Sequence, residues 1–360
     1  MKILLVNKYL YRKGGAETYF IKLGEYLKSL GNEVEYFGMA DERNCVENRV
    51  EAYTENIDFH KKSLKHITYP FKIIYSVNAR KQIRKVLSDF KPDVVHLNNF
   101  NYQLTPSIIY EIKKHNIPIV YTAHDVQLVC PNHKLKNDYT YGLCRKCDGG
   151  KYFECVKNNC VHSSKIRSIL GAVEAWYYKL RHTYEMIDLT VCPSEFMEKE
   201  ISRNDDINGR TVTMYNFIDE IKPLGAECEN YVLYFGRYSE EKGISNLVKA
   251  AKKLSNIPFV FAGKGALENE VNSADNIKNV GFKTGDELRN IIEKALFTVL
   301  PAEWSENCPF SVMESQSLMT PVLGAKIGGI PELINDGKTG GQERGGYEKG
   351  ESAKNINFFI

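Results

Sequence analysis

The sequence lacks a long apolar run. None of its 360 residues belongs to a stretch of about 18 consecutive apolar residues, the length that marks a membrane-spanning helix. The first apolar run, residues 3–6, is followed by Asn7 and Lys8 and is too short for the core of a signal peptide. We therefore expect a cytoplasmic protein that does not span a membrane.

Neither sign of charge dominates the sequence. Lys and Arg number 48 against 45 Asp and Glu, which gives a net charge of +3 and no support for a nucleic-acid partner. An Asp-x-Asp pair, with which many transferases hold a divalent ion, is also absent. So is a complete Gly-x-Gly-x-x-Gly dinucleotide fingerprint. We expect chemistry that needs no catalytic cofactor.

The composition indicates a folded α/β protein with two domains. Hydrophobic residues make up 43% of the chain and charged residues 26%, and 360 residues are many for one core. Helical and strand patterns alternate, and Ser194 is the predicted cap of a helix that starts at Glu195. Periodicity is lost between residues 214 and 230. We predict domains at 1–215 and 216–340. Residues 341–360 are charged and Gly-rich and predict a disordered tail, either a natural truncation or a reading-frame slip.

A glycine pair follows the first predicted strand. Residues 2–6 read as a strand, Gly14 and Gly15 as a loop, and the following residues as a helix that leads to a second strand at 34–37. This order predicts a Rossmann-like start. Glycines let a backbone approach a phosphate or a sugar closely, although a turn without a ligand is the alternative.

His124 is the main candidate for a site residue in the first domain. The predicted strand at 117–122 runs directly into Ala123, His124 and Asp125. Residues beyond the carboxyl ends of parallel strands line the ligand crevice. His96, at the end of the neighbouring strand, is a weaker candidate. A histidine that is hydrogen-bonded within the core is the alternative interpretation.

Cysteines cluster in a segment that we treat as an insertion at 130–162. Cys144 and Cys147 have the C-x2-C spacing of metal ligands, and Cys155 and Cys160 follow shortly after. These four are the candidate ligands of a structural zinc ion, with Cys130 as a substitute. Free buried thiols are the alternative.

Residues 60–85 are basic and contain no acidic residue. Aromatic and apolar residues lie between their lysines and arginines, a pattern that suits contact with the inner face of an anionic membrane. A solvated helix surface whose partners lie elsewhere in the sequence is the alternative.

The second domain begins with a strand at 231–235, followed by Gly236, Arg237 and Lys242 ahead of a predicted helix near residue 244. Arginine offers a planar fork to phosphate, and lysine offers a mobile point charge. Two cations can neutralise a diphosphate without a metal ion. A solvated pair at a helix start is the alternative.

Two carboxylates, Glu306 and Glu314, flank a predicted helix start near Phe310. The first turn of a helix has unpaired N–H groups and attracts anions. Glu314, one turn further on, can accept hydrogen bonds from ribose hydroxyls, and Glu306 can reach a neighbouring sugar. The residues predicted at this anion site are Asn307, Cys308, Pro309, Phe310 and Ser311.

These residues together resemble a known family. Glu306 and Glu314 are similar to the E-x7-E signature of retaining family 4 glycosyltransferases of GT-B fold, and the family's other site residues occur in order at Gly14, Gly15, His124, Arg237 and Lys242. The resemblance implies two Rossmann-like domains that face an interdomain cleft, the first on the acceptor side and the second for the nucleotide-sugar. A subset of the family carries a similar Cys-rich insertion.

The resemblance also implies an activity. The expected enzyme moves a sugar, with retention, from a nucleotide-diphosphate sugar, a UDP-sugar by family habit, to a hydroxyl of a glycan or lipid-linked glycan in cell-surface polysaccharide synthesis. The expected catalytic residues are His124, Glu306, Arg237 and Lys242, and the resemblance implies that Asp125 orients His124. The glycine pair, Gly236 and the residues around Glu314 would bind the nucleotide. A nucleotide-sugar epimerase, or a non-catalytic homologue disabled by its C-terminus, is the alternative.

Overall fold

The chain forms two compact α/β units. The structure is a computed structural model that describes residues 1–56, 69–136 and 142–343. Unit 1 comprises Met1–Tyr215 and unit 2 comprises Asn216–Ile360. Each contains a six-stranded sheet whose strands all run parallel.

The sheet of unit 1 has the strand order β2-β1-β3-β4-β5-β6. Its strands are rich in buried apolar residues because parallel sheets are covered on both faces. They are β1 (Lys2–Val6), β2 (Glu33–Phe37), β3 (Val94–Leu97), β4 (Ile119–Thr122), β5 (Leu189–Cys192) and β6 (Thr211–Thr213).

Helices connect or flank these strands. They are α1 (Gly15–Ser29), α2 (Tyr69–Ile74), α3 (Val77–Phe90), α4 (Ser107–Lys114), α5 (Phe153–Lys157), α6 (Lys165–Leu180) and α7 (Glu195–Ile201). The side chain of Ser194 accepts a hydrogen bond from the N–H of Met197 at 3.1 Å. This confirms the helix cap predicted at Ser194.

Unit 1 has a topological switch point between β1 and β3. The chain passes from β1 to β2 on one side and then to β3 on the other. Ligands of open α/β sheets bind outside the carboxyl ends of the strands at such a point. Here the loop after β1 and the loop after β3 are joined, because the N–H of Asn99 donates to Oδ1 of Asn7 at 2.9 Å.

Unit 2 repeats the plan with the strand order β12-β11-β10-β7-β8-β9. Its strands are β7 (Val232–Arg237), β8 (Phe259–Lys264), β9 (Ile277–Asn279), β10 (Phe297–Leu300), β11 (Val322–Ala325) and β12 (Gly340–Glu343). Its helices are α8 (Ile244–Lys253), α9 (Glu268–Val271), α10 (Gly285–Lys294), α11 (Phe310–Ser317) and α12 (Ile330–Leu333). The switch point lies between β7 and β10, whose following loops carry the predicted cations and Glu306.

The end of the described chain differs from the disorder expected for 341–360. Residues 341–343 belong to β12, which pairs in parallel with β11, so the expectation is wrong for these three residues. Residues 344–360 lie outside the described part. Among the described helices, none is long and apolar enough to cross a membrane.

Candidate functional site

The predicted site residues of unit 2 meet at its switch point. Nζ of Lys242, on the loop after β7, donates to Oε1 of Glu306, on the loop after β10, at 2.6 Å. Nε1 of Trp304 donates to the same oxygen at 3.2 Å. Both partners of the ion pair are mostly buried, with 23% and 14% of their side chains exposed. The sequence order alone does not place them in contact.

Two glycines fix the loops that carry this pair. Gly243 follows Lys242 with φ +73°, and a Cβ there would overlap the carbonyl oxygen of Pro301. Gly328 has φ +61°, and a Cβ there would overlap the carbonyl oxygen of Glu306. That carbonyl accepts a hydrogen bond from the N–H of Gly329 at 2.8 Å. Only glycine adopts these backbone angles easily, so both positions hold the site in shape.

Arg237 lies at the carboxyl end of β7, where it is the register partner of Lys264 at the end of β8. Its side chain is 66% exposed, and Nη1 lies 3.8 Å from Oε1 of Glu241. The hydroxyl of Tyr234 donates to the carbonyl oxygen of Arg237 at 2.8 Å, which fixes the strand end. The sheet edge therefore presents two neighbouring cations, one of them the predicted Arg237.

Helix α11 begins at Phe310, as predicted, with Pro309 at its N-cap. No side chain caps this helix start, so its first N–H groups can meet an anion. The carbonyl oxygen of Cys308 accepts from Nδ2 of Asn216 at 2.9 Å. Burial raises the pKa of the Cys308 thiol to about 11, so it stays neutral. Glu314 lies one turn into the helix and is half-buried.

In unit 1, the structure gives His124 a partner that the sequence did not indicate. Nε2 of His124 lies 2.8 Å from Oδ1 of the fully buried Asn98, and Tyr19 packs edge-on against the ring with centroids 5.2 Å apart. Burial lowers the pKa of His124 to about 4. The ring is neutral at pH 7, donates from Nε2 to Asn98 and leaves Nδ1 as an acceptor.

Asp125 does not orient His124, which corrects the sequence-based expectation. Oδ1 of Asp125 accepts from the N–H of Gln127 at 2.9 Å, and Oδ2 faces Nδ1 of His133 at 3.5 Å. Nδ2 of Asn101 also lies 3.4 Å from Oδ2. The Asp125 carboxylate therefore accepts a hydrogen bond within its own turn and otherwise faces His133 and Asn101.

The other predicted residues of unit 1 are the glycine pair and His96. Gly14 is the N-cap of α1, and Gly15 is its first residue. The carbonyl oxygen of Gly14 accepts from the hydroxyl of Thr18 at 2.9 Å. Nε2 of His96 lies 2.7 Å from the hydroxyl of Thr122, and burial lowers the pKa of this histidine to about 4.

Sequence patterns alone do not identify two of the contact residues, Asn98 and Trp304. Asn98 directly follows β3 and Trp304 follows β10, so their positions after strands were the available signal. The sequence pattern places Asn98 at the end of a strand and assigns no role to Trp304, one of two tryptophans in the chain. Their partners, His124 and Glu306, come from other parts of the sequence.

The cysteine segment forms a cluster, but not a preassembled metal centre. All four predicted ligands and Cys130 line one small cavity. In residues 1–56, 69–136 and 142–343, three or more possible ligand atoms lie within 4.8 Å of one another only at His182, Glu185 and Asp206, two of which are exposed. No three of the five sulfur atoms therefore all lie within 4.8 Å of one another.

The predicted membrane segment is described only in part, because residues 57–68 lie outside the described ranges. In the described part, the guanidinium groups of Arg80 and Arg84 both bind the carboxylate of Glu111, at 2.8 Å and 2.6 Å. Lys72 lies 4.0 Å from Glu55. Several cations of this segment therefore have partners within unit 1.

Comparison with known proteins identifies the family. Residues 13–221 match the model described as Glycosyltransferase Family 4, which is more than half of the chain. The chain belongs to glycosyltransferase family 4. Residues 217–359 of this glycosyltransferase match the model described as Glycosyl transferases group 1, so the match continues through the segment expected to be a disordered tail.

Relatives and a solved structure agree with this assignment. An uncharacterized 42.6 kDa protein in the cps region of Klebsiella pneumoniae is 26% identical over 92% of this chain and 87% of its own. The amylovoran biosynthesis glycosyltransferase AmsK of Erwinia amylovora is 28% identical over 30% of this chain and 31% of its own. HepE of Anabaena, solved in complex with UDP, is 17% identical with a TM-score of 0.67, over 99% of this chain and 89% of its own. The fold of this glycosyltransferase is therefore GT-B, as predicted.

Proposed function

We propose that this glycosyltransferase moves a sugar from a UDP-sugar to a hydroxyl of a glycan or lipid-linked glycan during cell-surface polysaccharide synthesis. The observation that carries the donor assignment is the contact between Lys242 and Glu306 at the switch point of unit 2. It places a cation for phosphate next to a carboxylate for sugar hydroxyls. HepE, whose structure contains UDP, and the amylovoran relative support the donor and product classes.

The diphosphate binds through Lys242, Arg237 and the start of α11. A leaving nucleoside diphosphate gains negative charge as the glycosidic bond breaks, and fixed cations and helix N–H groups stabilise that charge. The sequence contains no Asp-x-Asp pair, so we assign this role to the two side chains and not to a catalytic metal ion. We place Gly236, Asn307, Cys308, Pro309 and Ser311 around the same phosphates, and Glu314 at the ribose hydroxyls.

Donor binding changes the partner of Lys242. Before binding, Oε1 of Glu306 accepts from Lys242 and from Trp304. A phosphate oxygen then competes for the ammonium, and the carboxylate becomes free to accept from hydroxyls of the donor sugar. Trp304 keeps the carboxylate in place during this exchange.

Transfer occurs with retention at the anomeric carbon. The bond between that carbon and the diphosphate oxygen breaks, and a bond to the acceptor oxygen forms on the same face. The proton of the acceptor hydroxyl moves to the leaving phosphate, so no protein nucleophile is required. Neutral His124 offers Nδ1 as an acceptor to a sugar hydroxyl, while Asn98 holds Nε2. Gly14 and Gly15 allow a close approach of the ligand to the backbone.

The lipid-linked acceptor would place the enzyme at the inner face of the membrane. The basic composition of residues 60–85 supports this part of the proposal. The pairing of Arg80 and Arg84 with Glu111 limits the cations that are available to lipid.

Calorimetric titration of the purified chain with UDP, GDP and ADP tests the donor site. We expect UDP to bind most tightly, with no change on addition of EDTA. Glu314→Ala should lose this binding because the ribose hydroxyls lose their acceptor. Glu287→Ala, an exposed glutamate on α10, serves as the control and should bind UDP normally.

Other outcomes would overturn parts of the proposal. Tighter binding of GDP or ADP would refute the uridine assignment. Binding that disappears with EDTA would refute the metal-independent site. A folded chain that binds none of the three nucleotides would refute the donor site itself, and an inverted anomeric configuration of the product by NMR would refute retention.

A further inference from the structure

Five cysteines from separate parts of the insertion face one cavity in unit 1. The cavity is lined by Cys130, Cys144, Cys147, Cys155 and Cys160, together with residues that include Asn132, Lys136 and Arg145. Of these cysteines, Cys130 follows β4, Cys155 lies in α5, and the others lie in loops. A thiol makes only weak hydrogen bonds, so hydrogen bonding does not account for five thiols around one small cavity.

Cys130 already has a structural role in the cluster. Its Sγ–H donates to Oδ1 of Asn132 at 2.9 Å. Nδ2 of Asn132 in turn donates to the carbonyl oxygen of Lys136 at 2.6 Å and lies 3.4 Å from that of Cys160. The Cys130 side chain and Asn132 therefore join the two ends of the insertion, and this leaves four other thiols at the cavity.

Those four thiols form two pairs. Cys144 and Cys147 have C-x2-C spacing, and the side chains of Cys155 and Cys160 are hydrogen-bonded to each other. Four convergent sulfur atoms are the preferred ligands of zinc.

We propose that Cys144, Cys147, Cys155 and Cys160 bind one Zn²⁺ as thiolates and that Cys130 positions the surrounding loop. Four S–H bonds lose their protons to solvent, and four Zn–S bonds form. In any three of these sulfur atoms, at least one pair is more than 4.8 Å apart. Such a pair is too far apart for both atoms to bind one zinc ion at a Zn–S distance of about 2.3 Å. Binding therefore draws them inward and tightens the insertion.

The charges around the cavity suit this site. Zinc with four thiolates carries two negative charges, and a buried anion needs a nearby cation. Lys136 and Arg145 both line the cavity. Nε of Arg145 also lies 3.1 Å from Oε2 of the buried Glu200 on α7, so the guanidinium charge is shared between this carboxylate and the site.

Metal analysis of the full chain tests the proposal without any activity assay. The chain is purified under reducing conditions with no chelator, its zinc content is measured by mass spectrometry, and its free thiols are counted. We expect one zinc ion per chain. Replacement by Co²⁺ should give the charge-transfer bands and the strong visible absorption of a tetrahedral thiolate site, which report the ligand type directly.

Single variants then identify the ligands. Cys147→Ser and Cys155→Ser should lose the zinc and increase proteolysis within the insertion. Cys130→Ser should retain it, and Cys228→Ser, an exposed cysteine of unit 2, is the matched control. A chain with nine reduced thiols that binds neither Zn²⁺ nor Co²⁺ would overturn the proposal. So would a Cys155–Cys160 disulfide in the reduced preparation, or full zinc content in both Cys147→Ser and Cys155→Ser.

Discussion

Lys242 and Glu306 form a mostly buried ion pair across the switch point of unit 2, with Nζ 2.6 Å from Oε1. The pair joins the loop after β7 to the loop after β10. Its partners lie 64 positions apart in the sequence. Under the proposed function, a diphosphate at Lys242 competes with this carboxylate, and we expect donor binding to change the orientation of Glu306.

Lys242→Met should weaken UDP binding. The variant keeps the length of the side chain but removes a charged hydrogen-bond donor, a loss of about 1.5–3 kcal/mol. We expect a roughly 10- to 150-fold higher Kd for UDP in calorimetry. Lys253→Met, an exposed lysine at the end of α8, is the control. An unchanged Kd in Lys242→Met would remove this lysine from the diphosphate site.

Glu306→Gln should separate nucleotide binding from transfer. The neutral amide no longer competes for Lys242, so UDP alone should bind as tightly as before or more tightly. Turnover of the UDP-sugar should fall by about 100-fold because the sugar loses a charged acceptor. Both are measured on one preparation, with Glu303→Gln, whose amide oxygen can still accept from Asn246, as the control. Weaker UDP binding with normal turnover would contradict this assignment.

Gly328→Ala should damage the site more than an equally strained substitution elsewhere. Gly328 and Gly337 have φ of +61° and +75°, so alanine costs about 1–2 kcal/mol at either position. Only at Gly328 would the new Cβ overlap the carbonyl oxygen of Glu306. At Gly337 it would have no heavy atom of the described residues within 4 Å. Melting temperature and UDP-sugar turnover should both fall further in Gly328→Ala, and equal losses would refute the steric argument.

His124 should make the fold sensitive to acid. Burial lowers its pKa from 6.5 to about 4, so between these pH values the unfolded chain binds more protons than the folded chain. Stability therefore falls as the pH falls through this window. His124→Gln should show a smaller loss of melting temperature there than the wild type. His115→Gln, an exposed histidine, is the control, and an identical loss in His124→Gln would contradict the burial.

Glu174 should have the opposite effect on the pH dependence of stability. Burial raises its pKa from 4.5 to about 7, so the folded chain holds the proton that the unfolded chain has lost, and stability falls as the pH rises through this range. Glu174→Gln should be more stable than the wild type above pH 7 and equal to it below pH 4.5. Thermal melting across this range measures the difference, with exposed Glu47→Gln as the control. A variant destabilised at every pH would show a structural role for the carboxyl instead.

The sequence predicted the start of a helix well where a neighbouring residue, such as a proline or a capping serine, marks it. The start of α11 at Phe310 follows Pro309, and Ser194 caps α7 as expected. The predicted ends of strands were less accurate, because pairing with neighbouring strands sets them. Strand β7 runs on to Arg237, two residues beyond the predicted strand, because it pairs with Lys264 of β8. Residues 341–343 form a strand because β11 offers an edge to pair with.

The sequence predicted which residues belong to the candidate site, but it did not predict which of their side chains contact one another. The roles assigned to Arg237, Lys242 and Glu306 remain predictions, since they rest on the resemblance and on the proposed chemistry. The partner of His124 was predicted wrongly, because Asp125, its neighbour in sequence, turns to the N–H of Gln127, while Asn98 arrives from an adjacent strand.

The sequence by itself determined the family, the two α/β units and the order of the site residues, because these depend on periodicity and on motifs that lie close together along the chain. Tertiary structure alone decided which side chains meet. Sheet order brings β10 beside β7 although two strands separate them in the sequence, and this places Glu306 against Lys242. Packing likewise gathers five cysteines around one cavity. Such contacts depend on strand pairing and burial between distant segments, which no local pattern encodes.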